Sequence, residues 1–168
     1  MLTQIIKFIR VLGSEAEPIQ ISLAMALAMI VGFTPLLSLH NVPVILLVIM
    51  LRVNIASFLL AWVFFSAIAY LLDPLFHSLG LSLLQQASMQ DTWTQMYNST
   101  FWRVTHFNNT IVMGSLVVSL LAFIPMVLFM NVLIKRYRTH VVAYLKDSKI
   151  AAFLQNSKLV TRISSMAE

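Results

Sequence analysis

The polar residues that could do chemistry are few, and they interrupt a long apolar stretch, residues 19–72, whose single formal charge is Arg52. Asn54 follows that arginine, and His40 and Asn41 lie in the middle of the stretch. Arginine inside an apolar region can bind an anion or a lipid headgroup, and histidine can relay a proton or hold a substrate. An interfacial arginine can also simply fix the depth of a segment. We predict Arg52, Asn54, His40 and Asn41 as ligand or headgroup candidates, and no catalytic residue.

Other acid–base or metal chemistry has little support in the chain. Asp73 and His77 are four residues apart, but Asp73 followed by Pro74 is typical of a helix N-cap and first turn. No cysteine is present, which excludes disulfides and thiolate metal sites. No glycine-rich phosphate loop or paired-histidine zinc motif occurs. We expect no cofactor and no metal, and a protein that is not an enzyme.

Composition places the chain in a membrane. Sixty per cent of the residues are apolar and 10% are charged, and the mean hydropathy is +0.88. Soluble domains are about 45–50% apolar and about 25% charged. A second apolar run, residues 110–134, carries no charge, and a bilayer-spanning helix needs roughly 20 such residues. The predicted fold class is an all-α integral membrane protein.

The apolar stretch is broken in the segment 34–43. Pro35 removes a backbone donor just after Gly32, and Pro43 does the same eight residues later, so we predict that both prolines interrupt the helix. The apolar limb after the break, residues 44–51, is only about 12 Å long as a helix. The pattern favours a re-entrant hairpin in residues 19–51, and it leaves two full tilted spans or one bent span as alternatives.

Charge supports the hairpin. Lys135, Arg136 and Arg138 follow the last span and indicate its cytoplasmic end. The loop 73–109 then lies outside, and a hairpin leaves Arg103 as the single external residue among the eleven lysines and arginines. Both termini are therefore predicted to be cytoplasmic. The basic tail is better matched to anionic lipid than to nucleic acid.

Small residues at helical spacing predict where helices pack closely. Ala24, Ala28 and Gly32 share one face of the first helix, through which we expect self-association or a protein partner. The last span has its own set, Gly114, Ser115 and Ser119.

The predicted organisation is a membrane domain, residues 1–138, followed by a basic cytoplasmic tail, residues 139–168. The parts of the membrane domain are an interfacial helix 1–13, the hairpin 19–51, a span 53–72, an external segment 73–109 and a span 110–134. Asp73 and Pro74 should end the first full span and open a short surface helix.

Three short motifs carry a resemblance to a known family. The chain has Gly32-Phe33-Thr34-Pro35, then Arg52-Val53-Asn54, then Asp73-Pro74 with Gly80 downstream. In order and spacing these motifs resemble a bacterial inner-membrane family of unknown function with Gly-x-x-Pro, Arg-x-Asn and Asn-Pro elements, and a small subgroup of about this length. The family usually has asparagine where this chain has Asp73. The resemblance implies a multi-pass protein of the cytoplasmic membrane without an established reaction. Some members of that family are fused or genetically adjacent to envelope-building proteins, which favours an envelope role.

The leading hypothesis is a small inner-membrane subunit that binds or helps to move lipid or another amphiphile together with a larger envelope partner. A structural anchor or assembly factor without a ligand is the alternative. A small intramembrane enzyme using His40, or Asp73 with His77, is the third hypothesis.

Overall fold

The computed structural model describes residues 16–142, and these residues contain helices and no strand. The interfacial helix expected at residues 1–13 and most of the basic tail lie outside the described residues. The helices are α1 (Pro18–Phe33), α2 (Asn41–Met50), α3 (Ile55–Leu84), α4 (Gln90–Asn98), α5 (Thr100–Val104) and α6 (Thr110–Arg136). A 3₁₀ turn (Ala87–Met89) precedes α4, and a π-helical turn (Tyr137–Val142) follows α6. The all-α prediction is confirmed.

Helix α1 is the core of the bundle. It begins with Pro18 in its first turn, where a missing N–H costs nothing, and from Ile21 to Phe33 every residue except Leu23 is buried. Helices α3 and α6 pack on it and on each other. Ala24 and Ala28 are fully buried inside the chain. The expectation that this small-residue face receives a partner is therefore wrong, because the chain's own helices already occupy it.

Helices α3 and α6 are long and apolar enough to cross a membrane. In their most apolar windows only 22% and 11% of the residues are buried, so both helices turn large apolar side chains outward. A core helix of a soluble protein would be mostly buried. At 30 residues, α3 is about 45 Å long, which exceeds the roughly 30 Å hydrocarbon core of a bilayer.

Helices α3 and α6 meet backbone to backbone at two glycines. A Cβ added to Gly80 would overlap the carbonyl oxygen of Thr110 and lie 2.9 Å from the Gly114 nitrogen. A Cβ added to Gly114 would overlap the carbonyl oxygen of Phe76. Ser115 and Ser119, one and five residues after Gly114, are fully buried on the same helix. Small residues thus allow the helices to approach closely, as they do at many membrane helix contacts.

The predicted ends of two helices are wrong. Helix α3 continues through Pro74 to Leu84, so Asp73 lies inside a helix and does not cap a new one. Proline costs the helix one hydrogen bond, and packing on both sides of it outweighs that cost. Helix α2 begins at Asn41, so Pro43 lies in its first turn and does not interrupt it. The first four N–H groups of a helix have no partner within the helix, and proline loses nothing there.

Candidate functional site

A groove with a cavity volume of about 540 Å³ lies beside the break that follows α1. The last turn of α1 and the start of the break, residues 31–36, form one wall. Helix α6 contributes Ile111. The other wall is one face of α3, with Trp62, Val63, Ser66, Ala69, Tyr70 and Asp73.

The α3 wall changes from apolar to polar along its length. Trp62, Ser66, Ala69 and Asp73 follow one another at spacings of four, three and four residues, which places them on one helical face. The distance from Trp62 to Asp73 is about 16 Å along the helix axis. Tyr70 and Asp73 bring a phenol and a carboxylate to one end, and the other end is apolar. The groove is therefore polar at one end and apolar at the other, as an amphiphile is.

The break itself is held by hydrogen bonds between Thr34 and Asn41. The Thr34 hydroxyl is 2.8 Å from the Ile30 carbonyl oxygen and 3.0 Å from Asn41 Oδ1. Asn41 Nδ2 donates to the carbonyl oxygens of Pro35, at 3.0 Å, and Leu36, at 3.2 Å. These bonds replace the helical ones that the break removes. Asn41 is 2% exposed and its amide is fully engaged, so its role here is structural.

Asn54 and Arg52 also have roles in the local backbone structure. Asn54 caps α3, because its Oδ1 accepts from the Ser57 N–H and from the Ser57 hydroxyl, both at 2.8 Å. Arg52 is exposed and has a φ of 48°, the left-handed conformation that commonly ends a helix. Its N–H donates to the Ile49 carbonyl oxygen at 3.3 Å. Trp62, where the groove begins, is seven residues beyond the start of α3, about 10 Å along the helix, and Arg52 precedes that start by three residues.

The four predicted ligand candidates therefore do not converge on one site. His40 is half-buried before α2, and its Nε2 is buried without a hydrogen-bond partner in the described chain. Neither His40 nor Asn41 lines the groove, and Arg52 and Asn54 lie near the start of α3. Asp73 and His77 also have separate surroundings, since Asp73 lines the groove and His77 Nδ1 is hydrogen-bonded to Thr110 Oγ1 at 2.7 Å.

Sequence reasoning missed the α3 wall and a second polar residue, Asn131. The wall residues could have been found by their spacing, but only with the position of the break against α3 already known. Asn131 lies in α6, and its Oδ1 is buried without a partner among the described residues. Its place in an otherwise apolar run was the available signal.

The backbone role of Arg52 leads to a prediction about stability. Left-handed geometry costs a non-glycine residue about 1–2 kcal/mol, and a β-branched residue adapts to it worst. We expect Arg52→Gly to keep the free energy of unfolding within about 0.5 kcal/mol of the parent protein, because relief of strain offsets the extra entropy of the unfolded chain. Arg52→Val should lower it by about 1–2 kcal/mol. Denaturant unfolding in detergent measures both, and equal losses would show that the guanidinium matters and not the backbone.

Comparisons with known proteins confirm the resemblance to a bacterial family of unknown function. The family model described as "Uncharacterized protein conserved in bacteria (DUF2062)" matches residues 6–142. An "Uncharacterized protein" of Treponema pallidum (strain Nichols) is 25% identical over 162 residues, which cover 96% of this chain and 100% of that relative. No solved structure matches the chain.

Proposed function

We propose that this chain, which belongs to the DUF2062 family of uncharacterised bacterial proteins, is a small cytoplasmic-membrane protein that binds a lipid or another amphiphile in the groove beside its helix break. The observation that carries the proposal is the groove itself, which is apolar at Trp62 and polar at Tyr70 and Asp73. Its volume of about 540 Å³ lies in the range of small-molecule sites.

The outward surface of the bundle supports a membrane location. Exposed apolar side chains run along α3 and α6, such as Leu71 at 81% and Leu121 at 74% exposure. Helix α2 buries only Asn41, Val44 and Val48 and exposes the rest of its apolar residues. Exposing such a surface to water is unfavourable in free energy, whereas contact with lipid tails is not. We therefore propose that α3 and α6 span the membrane and that α1 is enclosed by protein.

Contacts at one end of the bundle support the hairpin interpretation. Arg138 Nη2 donates to the Ala16 carbonyl oxygen at 2.7 Å, so the start of α1 lies beside the end of α6. Gly80, near the end of α3, meets Gly114, near the start of α6, so these two helices run in opposite directions. The start of α3 then lies at the same end as Ala16. Residues 19–51 therefore begin and finish at the same end of the bundle, as the hairpin interpretation requires.

The length of α2 fits this return path. Gly32, at the end of α1, faces Phe65 and Ser66 of α3, and a Cβ on it would be 2.7 Å from the Phe65 Cβ. Ile55, the first residue of α3, lies about 15 Å back along that helix. The ten residues of α2 also span about 15 Å. The basic residues after α6 would place this end in the cytoplasm.

In this orientation the polar end of the groove would lie in the outer half of the bilayer, and its apolar end would lie near or below the midplane. If Ile55 lies at the cytoplasmic interface, Trp62 is about 10 Å and Asp73 about 27 Å from that interface along α3. A hydrocarbon core is roughly 30 Å thick, so Asp73 would reach the outer headgroup layer. An outer-leaflet lipid has the same arrangement, with its tail toward the midplane and its headgroup at the level of Asp73.

Transport would need more than this chain. Movement of a lipid against a gradient requires an energy source, and the chain has no phosphate-binding loop. We therefore propose that a larger envelope partner drives any transport, and that this chain supplies the lipid site. A structural anchor without a ligand is the second candidate, and it is favoured by the use of Asn41, Asn54 and Arg52 in the fold's own hydrogen bonds.

Filling the groove distinguishes these two functions. Ala69 is a small residue in the α3 wall, and Ala69→Phe should occupy the apolar part of the groove. We expect lipid retained after purification in mild detergent to fall at least roughly fivefold, as for loss of about 1 kcal/mol of binding. Native mass spectrometry counts the retained lipid.

The matched control is Leu71→Phe, which adds a ring on the exposed side of the same helix and outside the groove. It should retain as much lipid as the parent protein. Equal retention by Ala69→Phe and Leu71→Phe would remove the groove as the lipid site and favour the anchor.

A further inference from the structure

We infer that the groove selects a phospholipid with a primary-amine headgroup from the surrounding membrane, and that Asp73 is the residue that recognises the amine. This inference rests on the proposed lipid-binding function and adds the chemical class of the ligand. It differs from the expectation from sequence, in which Arg52 was the charged candidate for contact with an anion or a lipid headgroup.

The charge of the groove is the first observation that favours an amine headgroup. Asp73 is the one formally charged residue among the described residues that line it. A carboxylate repels a phosphate and attracts an ammonium group. The remaining polar groups of the lining, among them the Tyr70 phenol and the Ser66 hydroxyl, are neutral and can bond to ester or phosphate oxygens. A lipid whose only charge is a phosphate would meet no counter-charge in this lining.

The second observation is that the Asp73 carboxylate has no bonding partner among the described residues. No hydrogen bond or ion pair joins its carboxylate to another residue within 16–142. The nearest candidate by sequence, His77, bonds to Thr110 instead. Asp73 is half-buried within a predominantly apolar helix. A half-buried carboxylate that makes no bond within the protein is available to a ligand, and an ionisable residue on a membrane helix is a candidate for ligand contact.

Donor geometry narrows the amine to a primary one. An ethanolamine ammonium carries N–H donors and can form a short charge-assisted hydrogen bond with a carboxylate. A choline headgroup has the same net charge but no N–H donor. A glycerol headgroup leaves the phosphate uncompensated. The expected order of affinity is therefore ethanolamine, then choline, then glycerol lipids.

The test is a headgroup competition on the purified full-length chain. Delipidated protein is mixed with equimolar dioleoyl phosphatidylethanolamine, phosphatidylcholine and phosphatidylglycerol in detergent, and native mass spectrometry records the bound fraction of each. We expect a preference of roughly fivefold for ethanolamine over glycerol lipid, as for a partly solvated charged contact. Asp73→Asn should keep lipid binding and reduce that preference to less than twofold.

Two further samples separate the possible outcomes. Asp91→Asn removes an exposed carboxylate of α4 outside the groove and should leave the preference unchanged. The headgroup series on the parent protein needs no variant, so a folding defect in Asp73→Asn would not prevent a decision. Equal binding of all three lipids by the parent protein, or an unchanged preference in Asp73→Asn, would overturn the inference and leave the lipid site standing. No retained lipid of any class would instead overturn the proposed function.

Discussion

Replacing Gly80 with alanine is expected to lower the free energy of unfolding by about 3 kcal/mol, the upper part of the usual range for overpacking. The added methyl group would overlap the Thr110 carbonyl oxygen and approach the Gly114 nitrogen at 2.9 Å. Both are backbone atoms, so no side chain can rotate to make room and the two helices must separate. Phe76, which is fully buried one turn before Gly80, would lose packing as they do. Thermal and denaturant unfolding in detergent measure the loss.

Ser78→Ala is the matched control for Gly80→Ala. Ser78 lies two residues away on the same helix, is exposed, and bonds only to the Leu75 carbonyl oxygen of its own helix. Its replacement should change stability by less than about 0.5 kcal/mol. Gly114→Ala should resemble Gly80→Ala, and the double variant should lose less than the sum because the first methyl group already separates the helices. A stability of Gly80→Ala equal to that of Ser78→Ala would contradict the close crossing.

Replacing Asn41 with leucine is expected to cost about 3 kcal/mol, although leucine has the same branched shape and number of heavy side-chain atoms. The change leaves the Pro35 and Leu36 carbonyl oxygens and one bond of the Thr34 hydroxyl without their partner. Buried polar groups that lose a partner cost about 1–3 kcal/mol each, and partial access of water to the exposed Pro35 and Leu36 reduces the sum. Because Thr34 to Leu36 also line the groove, we expect the retained lipid to decrease with the stability.

Asn108→Leu provides the control, since Asn108 is exposed in the loop before α6 and should tolerate the change. Thr34→Val should cost less than Asn41→Leu, because it removes one of the network's three interactions with Asn41. A double-mutant cycle between Thr34→Val and Asn41→Leu should give a coupling free energy of about 1 kcal/mol. A coupling of zero would show that the two side chains act independently and would contradict the hydrogen-bond network between them.

Helical class and the approximate limits of α1 and α6 could be predicted from composition and length, because long apolar runs have few alternatives. The effects of Pro43 and Pro74 could not, and neither could the end of α3. Pro35 follows α1 and leaves it broken, whereas Pro74 is retained inside α3. The same local rule applies to both, and the difference is decided by what packs around them.

The site was harder to predict than the fold, for a related reason. Arg52 was singled out because it is a charge in an apolar stretch, but its left-handed φ could not be read from an arginine. Asp73 was explained as a cap because proline follows it. Its position in the groove depends on the register between α1 and α3, which Gly32 sets through its close approach to Phe65. Pairwise register is not encoded in the local pattern of either helix.

The burial of α1 has a consequence for biogenesis. This helix is synthesised before α3 and α6, yet nearly every residue from Ile21 to Phe33 is enclosed by the chain's own helices. Its final surroundings include α6, which is synthesised about 80 residues later. At 16 residues it is also short for a stable independent span. Completion of the bundle must therefore wait until α6 has been synthesised, and until then lipid or a chaperone must shield the apolar surface of α1.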